Sequence, residues 1–168
     1  MDDISTIKDY FKVAIVMGSN SDYVIMKEAE DILSNFDITF QSLIVSAHRT
    51  PMRLFNFNEQ VNKHSIEIII AGAGGAAHLP GMLASVVDIP VLGVPINSTD
   101  LNGMDSLLSI AQMPSGVPVG TFSIGKSGAR NAAIFAAKIL SLNNEILKDK
   151  IYDYRQNLAN SIKYMPKD

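Results

Sequence analysis

The stretch IEIIIAGAGGAAHLPGM, Ile66 to Met82, decides how the rest of the chain is read. Its apolar run, Ile66–Ala71, is short and rich in β-branched residues, as in a strand buried on both faces of a parallel sheet. It then collapses into Gly72, Gly74 and Gly75 interleaved with Ala, leaving almost no side chain at the strand end. Four more apolar runs share the pattern: Val13–Met17, Ile38–Val45, Val91–Val94 and Val117–Phe122. Segments with helical spacing lie between them. In Ser21–Phe36 the residues Ile25, Ala29, Ile32, Leu33 and Phe36 share a face. Thr50 suits an N-cap and Pro51 a first helical position, with Leu54, Phe57 and Val61 on the apolar side beyond. Asn131–Leu140 is Ala-rich and helical, and a last amphipathic segment carries Leu147, Ile151, Tyr154 and Leu158.

Strand alternating with helix five times predicts parallel pairing through right-handed crossovers. The expected class is α/β: a three-layer α/β/α sandwich, flavodoxin-like, with a five-stranded parallel sheet in the order 2-1-3-4-5. One domain over 1–168 is expected, with a core of about 12–142 and an extra C-terminal helix over about 144–163. That helix either closes the bottom of the sandwich or packs on a neighbouring subunit.

Composition narrows the function. The 168 residues carry a formal charge of −3, which argues against a nucleic-acid surface but not against a small anionic ligand. With no Cys, disulfides, thiolate nucleophiles and Cys-ligated zinc are excluded, and a reducing compartment fits. The start, MDDISTIKDYF, is acidic and broken by charges, unlike a secretory leader, and no apolar run reaches membrane-spanning length. A soluble, cytoplasmic protein is expected. Hydrophobic residues make up 47% and charged residues 18%, a balance that suits a chain hiding surface in an oligomer.

In an open parallel sheet, ligands bind beyond the carboxyl ends of the strands. The first strand delivers Gly18, Ser19, Asn20, Ser21 and Asp22 there; the second delivers Ser46, Ala47, His48, Arg49, Thr50 and Pro51. Gly18 and the hydroxyls form a reasonable anion cradle, and Asp22 can accept from ribose hydroxyls; alternatively Ser21 and Asp22 only cap the helix. Arg49 offers a fork of donors suited to phosphate, or else a surface ion pair. His48 brings an imidazole, a group that can both give and take a proton. Beside Arg49 and opposite glycine-rich turns, it reads as catalytic rather than structural. The Gly/Ala stretch lets a flat ligand or a carboxylate approach the backbone. His78 either lines the site or caps the next helix, Gly81 reads as tight packing, and His64 ends a helix where a cation suits the dipole, without a functional role.

Three chemistries on this fold fail. A phosphoacceptor needs a carboxylate after the third strand, where only Gly and Ala stand. A flavin site usually stacks on aromatics, and the candidate loops hold neither Tyr, Phe nor Trp. Gly120–Ser127 spells the phosphate-loop pattern G-x-x-x-x-G-K-S, but apolar strand residues fill it, so it reads as a strand-to-helix turn.

VAIVMGSNSD, VSAHRTP, IIAGAGGAAHLPGM, VLGVPIN, LNGMDSLLSIAQMPSGVPVGT and IGKSGARNAA together resemble the N5-carboxyaminoimidazole ribonucleotide mutases. These are the bacterial-type branch of the aminoimidazole ribonucleotide carboxylase family, and the likeness runs from about Val13 to Leu140. The resemblance implies conversion of N5-carboxyaminoimidazole ribonucleotide (N5-CAIR) to 4-carboxy-5-aminoimidazole ribonucleotide (CAIR) in de novo purine synthesis. It implies no metal, no ATP, no organic cofactor, and a homo-octamer with active sites at subunit contacts. By the same resemblance His48 is the general acid/base; Ser21, Ser46 and Arg49 hold the 5′-phosphate; Asp22 takes the ribose hydroxyls. Ser19 and the backbone of Gly74, Gly75, Ala76 and Ala77 face the carboxylate, with His78 nearby. The alternatives are a carboxylase using CO₂ directly and a non-catalytic nucleotide-binding module.

Overall fold

The computed structural model describes residues 9–97 and 100–165. Five parallel strands form one sheet in the order β2-β1-β3-β4-β5: β1 Val13–Met17, β2 Phe40–Ile44, β3 Ile68–Gly74, β4 Val91–Ile96 and β5 Gly120–Thr121. The helices are α1 Tyr23–Asn35, α2 Pro51–Phe55, α3 Phe57–His64, α4 Leu79–Ala84, α5 Met104–Ala111, α6 Lys126–Leu140 and α7 Glu145–Ser161. None of them, among the described residues, is long and apolar enough to cross a membrane. The expected three-layer flavodoxin-like sandwich and strand order are the ones found.

Pleat alternation splits the core in two. Val13, Ile15, Met17, Ile68, Ile70, Leu92 and Val94 pack against α1, α6 and the start of α7. Ala14, Val16, Ile69, Ala71 and Ala73 pack against α2 to α5 through Leu54, Phe57, Val61, Leu83 and Ile110. The apolar face of α1 turns on Met26, which is fully buried, whereas Ile25 is only half-buried.

Several expected boundaries move. β3 runs on to Gly74 instead of stopping at Ala71, because Gly72, Ala73 and Gly74 stay in register with Val94, Pro95 and Ile96 of β4. β4 correspondingly reaches Ile96 through Pro95. Proline lacks an amide hydrogen, but at Pro95 this falls on the side where β5 has already ended, and the Pro95 carbonyl there accepts from the Gly125 amide. β5 is only two residues long rather than Val117–Phe122, since Pro118 cannot donate to a ladder. α1 starts at Tyr23 after a 3₁₀ turn, Asn20–Asp22, and α6 starts five residues before Asn131. Thr50 precedes α2 but does not cap it; its hydroxyl donates to the Ser46 carbonyl (3.0 Å) and accepts from the Ser46 amide (2.9 Å). His64 closes α3 with its ring buried (2% exposed) and stacked on Phe11, rather than reaching into solvent at the helix end.

In α7, capped by the Asn144 side chain, Leu147 and Ile151 join the core and Tyr154 packs edge-on against Phe36. Its second half, with Leu158, is exposed. The helix thus closes the bottom of the sandwich with its first turns only.

Candidate active site

The carboxyl ends of β1, β2, β3 and β4 open into one cleft of about 540 Å³, within the range of small-molecule sites. It is lined by Gly18, Ser19, Ser21, Asp22, Ser46, His48, Arg49, Gly74, Gly75, Ala76 and His78. Of the residues expected at a site, only Ala77 lies elsewhere. Its side chain is buried in the core and its amide donates to the Gly75 carbonyl at 2.8 Å.

The turn after β1 is ordered by its own side chains. The Asp22 carboxylate accepts from the Ser19 amide at 3.0 Å, and the Ser19 and Ser21 hydroxyls lie 2.5 Å apart. Burial pushes the Asp22 carboxyl above the ordinary carboxylate range. The Ser19 amide, the Ser21 hydroxyl, the Gly18 amide and the Arg49 cation oppose that shift without cancelling it.

After β2, the Ser46 hydroxyl accepts from the Arg49 amide (3.2 Å) and from Arg49 Nε (3.1 Å), while Arg49 Nη2 donates to the Gly18 carbonyl (2.9 Å). Arg49 therefore ties the first and second loops together and holds its guanidinium at the hydroxyl-lined end. A phosphate would meet the hydroxyls of Ser21 and Ser46 and a fixed cation there.

In the same cleft, His48 Nε2 and His78 Nδ1 are 2.8 Å apart, with the rings edge to face. His78 stands at the position before α4 but makes no side-chain cap, so it lines the cleft. Beside this pair runs the Gly74–Ala76 wall. Gly75 has a φ of +66° and nothing within 4 Å of where a side chain would begin, so the backbone itself faces open space.

Two polar residues at the cleft or directly behind it went unassigned by sequence reasoning. Asn97 lines the cleft just after β4. Ser106, 0% exposed on α5, donates to the Ile96 carbonyl (2.7 Å) and accepts from the Gly75 amide (2.9 Å). The available signal was a hydroxyl four residues from Ile110 on the buried stripe of an apolar helix, where polar groups need a reason.

The phosphate-loop pattern is a strand-to-helix turn. Lys126 pairs with Glu28 on α1 at 3.1 Å, Arg130 joins the same carboxylate, and neither lines the cleft. Gly81 is indeed a packing glycine, facing Met113.

Comparison with known proteins agrees with the geometry. The family model described as AIR carboxylase matches residues 12–161. The chain is 53% identical over 150 residues to the N5-carboxyaminoimidazole ribonucleotide mutase of Bacillus subtilis, covering 89% of this chain and 93% of that one. It is 52% identical over 151 residues to the protein of the same name in Saccharolobus solfataricus, covering 90% and 94%. The crystal structure of Treponema denticola PurE superposes with a TM-score of 0.80 at 27% identity, covering 88% of this chain and 91% of that one.

Proposed function

The chain belongs to the AIR carboxylase family, and from that premise we propose that it is an N5-CAIR mutase, moving a carboxylate from the exocyclic nitrogen to a ring carbon to give CAIR in purine biosynthesis. Relatives of this length and identity carry that name. The observation that carries the mechanism is the His48–His78 contact beside the small-residue Gly74–Ala76 wall, in a cleft that also holds the Ser21 and Ser46 hydroxyls and the Arg49 guanidinium.

The reaction needs one proton out and one proton back. The N–CO₂⁻ bond breaks, its electron pair stays on nitrogen, and His48 protonates that nitrogen as CO₂ leaves. The neighbouring ring carbon attacks CO₂, and the hydrogen it must lose returns to His48. Electrons and protons balance, and the steps as written call for no metal or organic cofactor. An imidazole suits both duties because it exchanges protons near neutrality. Gly74, Gly75 and Ala76 keep CO₂ against backbone, where its escape would forfeit proximity. The Ala76 amide makes no hydrogen bond among the described residues and is the donor we assign to the carboxylate. Asp22 takes the ribose hydroxyls; Ser21, Ser46 and Arg49 take the phosphate; Ser19, whose hydroxyl touches that of Ser21, is assigned to the carboxylate.

We assign a cytoplasmic homo-octamer in which neighbouring subunits complete the site. Exposed apolar side chains stand on elements that begin at the cleft rim: Val24 on α1, Met52 and Phe55 on α2, Leu101 and Met104 at α5. Such exposure around a polar cleft fits a surface that another copy covers.

His48→Asn tests the chemistry. Turnover of N5-CAIR is expected to fall by on the order of 10²- to 10⁴-fold, while nucleotide affinity, measured separately by calorimetry, is retained. Turnover near the wild-type value removes His48 from the mechanism.

A further inference from the structure

We propose that Ser106 is a positioning residue for the reaction: from inside the protein it holds the Gly75 peptide in the one orientation that shapes the carboxylate wall. The inference rests on the N5-CAIR reading, since that reading makes the wall the place where CO₂ is kept.

Gly75 needs an external restraint. It has φ +66°, no side chain and no neighbour within 4 Å of a would-be Cβ, so nothing steric prevents its peptide from turning. Within the turn, the Ala77 amide donates to the Gly75 carbonyl and the His78 amide to the Ala76 carbonyl, both at 2.8 Å, bonds that leave the Gly75 amide itself unheld. The Gly75 amide, at the start of that turn, donates to Ser106 Oγ at 2.9 Å.

Ser106 is itself fixed from two sides. Its hydroxyl hydrogen goes to the Ile96 carbonyl, the last residue of β4, at 2.7 Å, and its amide donates to Asp105 Oδ1 at 2.9 Å. One hydroxyl thus joins the end of β3, the end of β4 and the first turn of α5. With 0% exposure it does not line the cleft, so its influence on substrate passes through Gly75. Removing it strands a buried carbonyl and frees the amide next to Ala76, whose own N–H faces the carboxylate in the proposed function. His78, two residues beyond Ala76 and paired with His48, would move with the same turn.

The effect is therefore confined to one end of the site. The phosphate end is built on the first two loops, through Arg49, Ser46 and Gly18, and does not involve Ser106.

The test compares wild type with Ser106→Ala, Ser106→Cys and Ser106→Thr. Each is assayed for N5-CAIR turnover and for affinity toward aminoimidazole ribonucleotide, which has the ribose phosphate but no carboxylate. In Ser106→Ala, kcat is expected to fall by on the order of 10- to 100-fold, as for a misplaced reacting group, with that affinity unchanged. Ser106→Cys, nearly the same size but a poor hydrogen-bonding group, should behave similarly. Ser106→Thr, which keeps the hydroxyl, should recover most of the rate. Unchanged kcat in the Ala or Cys variant, or parallel loss of kcat and affinity, overturns the assignment. Amide exchange in the wild type gives an outcome even if the variants misfold: slow exchange at Gly75 is expected, and exchange as fast as an open loop contradicts it. Absence of wild-type N5-CAIR turnover would instead sink the proposed function, so the two failures are distinguishable.

Discussion

Asp22 is costly to ionise in the folded chain, and the proposed contact with ribose hydroxyls gives a reason for keeping it there. Its carboxyl is held above the ordinary range mainly by burial, so the folded state binds that proton more tightly than the unfolded chain does. The contribution to stability is therefore complete below the unfolded value of about 4 and is lost as pH rises through the raised folded value. Asp22→Asn keeps an oxygen for the Ser19 amide but has no charge to bury. Relative to wild type at equal protomer concentration, its denaturation midpoint should rise as pH is taken from about 4 to 7, while nucleotide affinity falls. A pH-independent difference between the two midpoints would contradict this. Most polar site residues could be read from sequence because each follows directly on an apolar run: Ser19 and Asp22 after β1, Ser46, His48 and Arg49 after β2. Ser106 escaped because it reaches the site through a buried hydrogen bond from a helix, which no spacing along the chain encodes.

At the level of elements, α6 shows how closely helix and sheet meet. Ala129, Ala132, Ala133, Ala136 and Ala137 are all fully buried against the sheet side of the sandwich. Gly128 lies nearer still to the preceding turn: a Cβ there would fall 1.7 Å from the Ser123 carbonyl oxygen. Alanine in a helix is favoured over glycine by about 1 kcal/mol, but a clash with backbone cannot be relieved by rotating a side chain. Gly128→Ala is expected to be destabilised by about 1–3 kcal/mol, measured by chemical denaturation; a gain in stability would show that the Ser123 turn gives way. Helix faces and strand order were legible because the 3.6-residue and buried-strand patterns are strong. Strand ends were not: Gly72 to Gly74 and Pro95 have poor strand propensity, yet neighbours on the sheet hold them in register. The two-residue β5 was over-read for the converse reason, an apolar run whose Pro118 denies it a ladder.

For the molecule as a whole, the exposed apolar residues and the proposed shared sites make one prediction. Light scattering should give an octamer of the 18.2 kDa chain at assay concentration, and a stable monomer that retains activity would contradict sites completed by neighbours. The sandwich brings four loops to one rim, and the resulting cleft holds the hydroxyls and Arg49 of the first two loops together with the small-residue Gly74–Ala76 wall. In the proposed mechanism one imidazole acts on both the nitrogen and the carbon while CO₂ stays beside the ring. Retention of label measures it most directly. N5-CAIR carrying ¹³C in its carboxylate is converted in excess unlabelled bicarbonate, and the CAIR formed is analysed by mass. Product that keeps the ¹³C is the predicted result; unlabelled CAIR, or product formed only from aminoimidazole ribonucleotide and bicarbonate, would contradict it.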